Sequence, residues 1–278
     1  MNCDQRAIRF SCLGSSMVGI IDLPERPLPR AVLVVAGQPD SRLGAQRQFA
    51  MLARALARRG FAVMRFDRRG IGDSEGCDYN DSDVRAAVQE LCEQVPAIEE
   101  VVLLAPGSAA AIATASACAR IDERVCALLL LDPRRRSGRR ADRTLAPPTP
   151  APAPIGAALF WRRAQAPRRA VGSAARLAAL AEQLCAFPGR VLVVGADDQA
   201  SVPLAPGQAP TELHQLRALI ERSDGAARVR IVDAGTLGVA GAGAGDWAGP
   251  GPGLGLGLGT SDAECARVAT CADWMVSW

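Results

Sequence analysis

The stretch FDRRGIGDSEG, from Phe66 to Gly76, joins an apolar run to a turn that is rich in glycine. The run that leads into it, Ala62 to Phe66, is nearly continuous in apolar residues. Such runs are typical of strands in a parallel sheet that helices cover on both faces. The closely spaced glycines favour a sharp turn, because glycine tolerates positive φ and a close approach of backbone. The stretch therefore predicts a buried strand that ends in a tight turn.

Similar apolar runs occur along the rest of the chain, and helix-like stretches separate them. The runs are Ala31 to Val35, Val101 to Leu104, Ala127 to Leu131, Arg190 to Val194 and Arg228 to Val232. Apolar residues at helical spacing mark Gln46 to Arg59, Asp81 to Gln94 and Ala109 to Ala119. This alternation predicts an α/β fold, with βαβ units around a mostly parallel sheet and helices on both faces.

The two ends of the chain add further elements to this core. Ala7 to Asp22 predicts an antiparallel hairpin that leads into the sheet. Asp262 to Trp278 returns to helical spacing, and we expect Trp274 and Trp278 to anchor that helix by packing. A length of 278 residues with 49% hydrophobic content suits one core, so we expect a single domain over residues 1–278.

Two segments interrupt the regular pattern. Residues 134–154 pass from an arginine cluster into the proline-rich string APPTPAPAP, which fits neither a helix nor a central strand. With the following arginine-rich stretch they predict an inserted lid or cap at 134–185, whose first part is extended and disordered. Residues 235–259 are so rich in glycine that we expect a flexible loop there.

Charge argues against nucleic acid as the partner. The net charge is +3, with 22% charged residues, and every basic residue is an arginine. The cluster Arg134, Arg135, Arg136, Arg139, Arg140 and Arg143 could bind phosphates, but no aromatic residues are interleaved with it. We therefore interpret it as a solvated rim and expect no nucleic-acid partner. The same composition excludes a wholly disordered chain.

Nine cysteines lie scattered without a C-x-x-C pair, and only one histidine, His214, is present. This pattern fits no zinc finger or knuckle, so we expect no metal, and no cofactor is indicated. The first residues lack the pattern of a secretory signal, and no apolar run approaches the ~20 residues of a membrane helix. A cytoplasmic location with reduced thiols is the expectation.

The turn at Phe66 to Gly76 resembles the D-x-R-G-x-G-x-S-x-G signature that follows the fourth strand in many α/β hydrolases. The resemblance implies the α/β-hydrolase fold. In that fold the signature is architectural, so its residues are expected to shape the active-site face rather than to react.

The chain is also similar, over nearly its whole length, to the group known as exosortase A system-associated hydrolase type 1. The matches keep their order and spacing: Pro39, Arg42, Gly44 and the run Arg47-Gln48-Phe49, then Leu128 to Pro133, Phe160 to Arg163, and Asp273-Trp274 with Ser277-Trp278. The resemblance implies a lidded α/β hydrolase in a setting of bacterial exopolysaccharide export and PEP-CTERM protein sorting. A functional link to that machinery is therefore expected, and the substrate would be a small ester or acyl compound.

An α/β hydrolase needs a nucleophile on the tight turn after a strand. Counted from the strand, the slot that holds cysteine in the similar group falls on Gly107, which has no side chain to attack with. Ser108 lies one residue late, with Pro106 and Ala110 where glycines are usual. We take Ser108 as the candidate nucleophile, and its structural alternative is the N-cap of a helix that begins at Ala109.

The acid has two candidates after the fifth apolar run, Arg190 to Val194. The similar group implies Asp197, whereas the broader G-x-x-D pattern favours Asp198. Either aspartate could instead serve turn chemistry by accepting backbone N–H groups. For the oxyanion hole, Gly37 and Gln38 follow a strand and resemble the glycine pair of the similar group. A second backbone N–H could come from Ser108.

The base is missing from its usual place. Gly238 occupies the position at which the similar group carries histidine, and His214 falls earlier, in the helical stretch from Thr211 to Ile220. We expect His214 to be a helix-surface residue, because a base must lie within hydrogen-bond reach of its nucleophile. Two hypotheses follow: an ester or acyl hydrolase with a degraded triad, or an inactive relative that binds a ligand as an accessory protein.

Overall fold

A single eight-stranded sheet forms the centre of the molecule. The computed structural model describes residues 3–36, 41–44, 47–77, 80–106, 122–131, 173–195, 212–224, 226–233 and 262–278. Its strands are β1 (Cys3–Cys12), β2 (Ser15–Pro24), β3 (Arg30–Val34), β4 (Ala62–Phe66), β5 (Glu100–Pro106), β6 (Val125–Leu131), β7 (Arg190–Gly195) and β8 (Val229–Asp233). Their order across the sheet is β1-β2-β4-β3-β5-β6-β7-β8.

The sheet is parallel except at one side. β1 and β2 form an antiparallel hairpin, and β2 pairs antiparallel with β4. From β4 to β8 every neighbouring pair is parallel. The sheet direction therefore changes only where the hairpin joins the parallel strands.

Helices follow the strands along the chain. The described ones are α1 (Gln48–Ala57), α2 (Asp81–Gln94), α3 (Ser173–Ala186), α4 (Glu212–Glu221) and α5 (Asp262–Val276), with a short 3₁₀ turn at Ala226–Arg228. α2 begins at an N-cap, where the side chain of Asn80 accepts a hydrogen bond from the backbone N–H of Ser82. No described helix has the length and apolar character needed to cross a membrane.

The core has two apolar layers, one on each face of the sheet. The layer under α2, α3 and α4 includes Met64, Leu91 and Leu184, all fully buried. The opposite layer, under α1 and α5, includes Phe49 and Met275. A parallel sheet with both faces covered must be apolar on both sides of each strand, which explains the continuous apolar runs in the sequence.

These elements confirm the α/β class and most of the predicted strands and helices. β4 and α2 have the predicted bounds, and the remaining described strands lie within one to two residues of prediction at most ends. The hairpin is longer than predicted, since it spans Cys3–Cys12 and Ser15–Pro24 rather than Ala7 to Asp22. The helix predicted at Ala109 to Ala119 lies outside the described residues.

The predicted lid falls mostly outside the described residues, which resume at residue 173. From there to residue 185 the segment belongs to α3, whose Leu177, Ala181 and Leu184 are buried in the core. This part of the predicted insertion therefore packs against the sheet as a core helix. The remainder, 134–172, stays a prediction, as do the arginine cluster within it and the glycine-rich loop at 235–259.

Candidate active site at the carboxyl edge of the sheet

The parallel strands bring their carboxyl ends to one edge of the sheet, and α/β enzymes bind their ligands at such an edge. Pro106 ends β5, Gly195 ends β7 and Asp233 ends β8. Beside β5, the backbone N–H of Val35 donates to the carbonyl of Leu104 over 2.8 Å, which extends the β3–β5 pairing past the last residue of β3. The edge is therefore continuous from β3 to β8.

The predicted reactive residues follow these strand ends in sequence but lie outside the described residues. They are Gly37 and Gln38 after β3, Ser108 after β5, and Asp197 and Asp198 after β7. Gly107 and Gly238, which stand in the expected nucleophile and histidine positions, also lie outside them. The assignment of these residues stays a prediction.

His214 is described, and it belongs to the first turn of α4. Its side chain is half-buried, while Leu216 and Ile220 of the same helix are buried in the core. The predicted helix is thus confirmed, and His214 lies on an element that precedes β8 instead of following it.

The turn after β4, which was predicted to be architectural, forms hydrogen bonds to the β1–β2 hairpin. Ser74 donates its hydroxyl to the carbonyl of Asp67 over 2.7 Å and accepts the backbone N–H of Val18 over 2.9 Å. Glu75 donates its backbone N–H to the carbonyl of Ser16 over 2.8 Å. These bonds attach the turn after β4 to the β1–β2 hairpin.

Asp67 connects two loops at the carboxyl edge. Its side chain is fully buried, and its Oδ1 accepts the backbone N–H of Arg42 over 2.6 Å. Its Oδ2 accepts the guanidinium of Arg42 and the backbone N–H of Asp73. The outer nitrogen of Arg42 also donates to Asp73 over 2.6 Å. We call these three residues, Arg42, Asp67 and Asp73, the Arg42 clamp.

Electrostatics keep the Arg42 guanidinium charged. Burial by itself lowers the pKa of Arg42, but its hydrogen bonds to Asp73 and Asp67 outweigh that effect and raise the pKa above its usual value. The neighbouring Arg65 is buried and donates to Asp22 over 3.1 Å. Asp22 also accepts the side-chain amide of Gln5 over 2.8 Å. Polar pairs therefore run from the hairpin to the carboxyl edge.

A second buried pair lies on the other face of the same turn. The carboxylate of Asp83, in the first turn of α2, is fully buried and accepts Nε of Arg69 over 2.6 Å. The thiol of Cys12 donates to the same oxygen over 3.5 Å. Burial, and next the hydrogen bond to Asp83, raise the pKa of the Cys12 thiol. Cys12 is therefore a neutral thiol at neutral pH, which argues against a nucleophilic role.

Sequence reasoning missed these buried pairs. Arg42 was noted only as a match to the similar group, and Asp83 only as part of a helix. An acidic residue in the first turn of a helix is a usual complement to the helix dipole, so its spacing carries no sign of a buried partner.

In the described part of the chain, no group of three or more histidine, cysteine or acidic side chains could hold a metal ion.

Comparison with solved structures identifies the fold. The esterase Pf2001 of Pyrococcus furiosus superposes with a TM-score of 0.53 at 13% identity, over 83% of this chain and 82% of the esterase. Est1E of Butyrivibrio proteoclasticus, solved with bound ferulic acid, gives a TM-score of 0.50 at 18% identity, over 82% of this chain and 88% of Est1E. No protein-family model matches the sequence, and a search of curated proteins finds no match. The chain has the α/β-hydrolase fold.

Proposed function

We propose that this protein acts on a small ester or acyl substrate as an α/β hydrolase whose catalytic triad is degraded. The observation that carries the proposal is the strand order, in which the ends of β3, β5, β7 and β8 share one edge. The candidate oxyanion residues Gly37 and Gln38, the candidate nucleophile Ser108 and the candidate acids Asp197 and Asp198 follow three of these strands directly. In the sequence, Ser108 is two residues beyond Pro106, the last residue of β5.

Each candidate residue is assigned the role that its position has in the α/β-hydrolase fold. Backbone N–H groups after β3 and β5 would stabilise the oxyanion, Ser108 would attack the carbonyl, and Asp197 or Asp198 would orient a base. The esterase Pf2001 shares the fold, which favours an ester as the substrate class. Because no histidine follows β8 in the sequence, we expect Ser108 to react far more slowly than the nucleophile of an intact triad.

A second candidate is an accessory protein that binds the ligand without cleaving it. The observation in its favour is the position of His214, the single histidine of the chain, on α4 before β8. A histidine there has to reach the nucleophile from a helix that is fixed to the core by Leu216 and Ile220. If it does not, proton transfer has no imidazole available near neutral pH.

The cellular setting is part of the proposal. The resemblance to the exosortase A-associated group supports a link to exopolysaccharide export and PEP-CTERM sorting. The described cysteines, Cys3, Cys12, Cys77, Cys92, Cys126, Cys185 and Cys271, are free thiols. Free thiols in this number support a reducing, cytoplasmic location. Deletion of the gene should lower the yield of exported polysaccharide in the host cell, and an unchanged yield would contradict the link.

Two measurements separate hydrolase from binding protein. A panel of fluorogenic short-chain esters should be turned over slowly by the unaltered protein, and Ser108→Ala should abolish that turnover. A fluorophosphonate probe should label Ser108 stoichiometrically, as read by peptide mass spectrometry. Turnover that Ser108→Ala leaves intact would remove Ser108 from the mechanism. Absence of both turnover and labelling, with esters still shifting the melting temperature, would establish the accessory protein instead.

A matched set of variants tests the other assignments. His214→Ala should leave ester turnover within about twofold if the histidine is outside the reaction, and a loss approaching that of Ser108→Ala would make it the base. Asp197→Asn and Asp198→Asn distinguish the two candidate acids. Arg59→Ala, at the far end of α1 in an exposed ion pair, serves as the control for general damage.

A further inference from the structure

We propose that Arg42 and Asp67 are positioning residues for the proposed hydrolysis, which fix residues 41–44, between β3 and α1, against the turn after β4. The inference rests on the proposed function, since it assigns these residues to the site at the carboxyl edge. Neither residue is placed in contact with substrate. Their effect would pass through the backbone that they hold.

Asp67 makes two different contacts with Arg42. Asp67 accepts the backbone N–H of Arg42 with one oxygen and the guanidinium of Arg42 with the other. One carboxylate thus binds both the main chain and the side chain of the same residue. A bond to the side chain alone would leave the backbone free to move, whereas this arrangement fixes the main-chain position of Arg42 itself.

Asp67 is itself held in place by other hydrogen bonds. Asp67 is fully buried, and its own backbone is fixed by a hydrogen bond from its N–H to the carbonyl of Val18 over 2.9 Å. Its carbonyl accepts the hydroxyl of Ser74. The guanidinium of Arg65, in β4, donates to the carbonyl of Arg42 over 3.5 Å. Asp67 therefore keeps its position without the side chain of Arg42. Arg42 is attached to this fixed strand end.

Further contacts hold the backbone just after β3 and just before α1. Ala36, just after β3, is buried, and Val35 is bonded to Leu104 of β5. On the other side, the backbone N–H of Gly44 donates to the carbonyl of Ser41 over 2.9 Å, and that of Phe49 to the carbonyl of Leu43 over 3.1 Å. The described residues on the two sides of 37–40 are thus held, Val35 and Ala36 by the sheet and Arg42 by the clamp. Backbone donors for an oxyanion act through such preorganisation, because they cost no rearrangement during the reaction.

The test compares Arg42→Ala with Arg42→Lys and with the control Arg59→Ala. Arg59 also loses an arginine–aspartate pair, with Asp273, but that pair is exposed and lies at the other end of α1. In ester turnover well below the melting temperature, Arg42→Ala should lower kcat about 10- to 100-fold with KM changed less than about threefold. Arg42→Lys should recover part of kcat, since one ion pair to Asp67 survives. Arg59→Ala should match the unaltered protein.

Amide hydrogen exchange supplies a readout that does not need turnover. In Arg42→Ala the peptide over residues 41–49 should exchange at least about tenfold faster, while peptides from β5 and β7 stay unchanged. Unaltered kcat in a folded Arg42→Ala variant would overturn the positioning role while leaving the proposed function intact. Unaltered exchange over 41–49 would overturn the clamp. Absence of turnover in the unaltered protein would overturn the proposed function and the positioning role together, and the exchange result would then report the clamp alone.

Discussion

Arg69 and Asp83 form a buried pair in which one carboxylate accepts both the backbone N–H and the Nε of the same arginine, over 3.2 and 2.6 Å. This is the arrangement that Arg42 makes with Asp67 on the other face of the sheet. One pair attaches the turn after β4 to the start of α2, and the other attaches it to the turn before α1. The D-x-R-G-x-G-x-S segment is therefore a junction between both helical layers and the carboxyl edge.

Removing one partner of the Arg69–Asp83 pair should be strongly destabilising. Asp83→Ala leaves an almost fully buried guanidinium without its carboxylate. Breaking a buried pair in this way typically costs about 3–5 kcal/mol. Urea unfolding followed by far-UV circular dichroism should show that loss. Asp273→Ala, which breaks an exposed pair with Arg59, should cost under about 1 kcal/mol. Equal losses for the two variants would contradict the structural role of Asp83.

Gly72 should not tolerate a side chain. Its φ is +57°, and a Cβ built there would overlap the carboxylate of Asp67. Gly72→Ala combines left-handed backbone strain of about 1–2 kcal/mol with displacement of a buried carboxylate, so we expect a loss of about 3 kcal/mol in urea unfolding.

Gly14 provides the matched control for that substitution. Its φ is +80°, yet a Cβ there would meet nothing within 4 Å. Gly14→Ala should therefore cost only the backbone strain, about 1 kcal/mol. A Gly72→Ala variant no less stable than Gly14→Ala would show that Asp67 does not need the space.

Arg30 should anchor α5 to the amino edge of the sheet. It donates to the carbonyls of Met275 and Trp278, forms an ion pair with Glu100, and lies 3.6 Å above the ring of Trp278. Arg30→Ala should cost about 2 kcal/mol and speed amide exchange in α5. Arg6→Ala, which removes an arginine from an exposed pair with Asp4, should change stability by less than about 1 kcal/mol. Unchanged exchange in α5 would contradict the anchor.

The strands could be predicted because burial on both faces leaves a local record in the sequence. Ala62 to Phe66 is apolar enough to be recognised without knowledge of its neighbours, and its bounds were correct. The start of β1 leaves no such record, because Cys3 to Ala7 are exposed and pair with β2 through the backbone. The hairpin was therefore predicted too short.

The ion pairs could not be predicted for a related reason. Arg42 and Asp67 are 25 residues apart, and Arg30 and Glu100 are 70 residues apart. Each pair depends on the path of the chain through the whole fold, which apolar periodicity does not encode. The strand order confirms the mostly parallel sheet that the sequence predicted, while Ser108, Asp197, Asp198, Gly37 and Gln38 stay predictions.

Cys126 should make the protein lose stability in alkaline solution. Burial, and next the charge of Glu100, raise the pKa of its thiol from 9.0 to about 11. The unfolded chain therefore releases this proton first as the pH rises, so the free energy of unfolding should fall between pH 9 and pH 11. The urea midpoint of Cys126→Ala should change less between pH 8 and pH 10.5 than the midpoint of the unaltered protein does. Cys3→Ala, which removes an exposed thiol, should keep the full alkaline loss. An alkaline loss in Cys126→Ala as large as that of the unaltered protein would show that this thiol does not link proton release to unfolding.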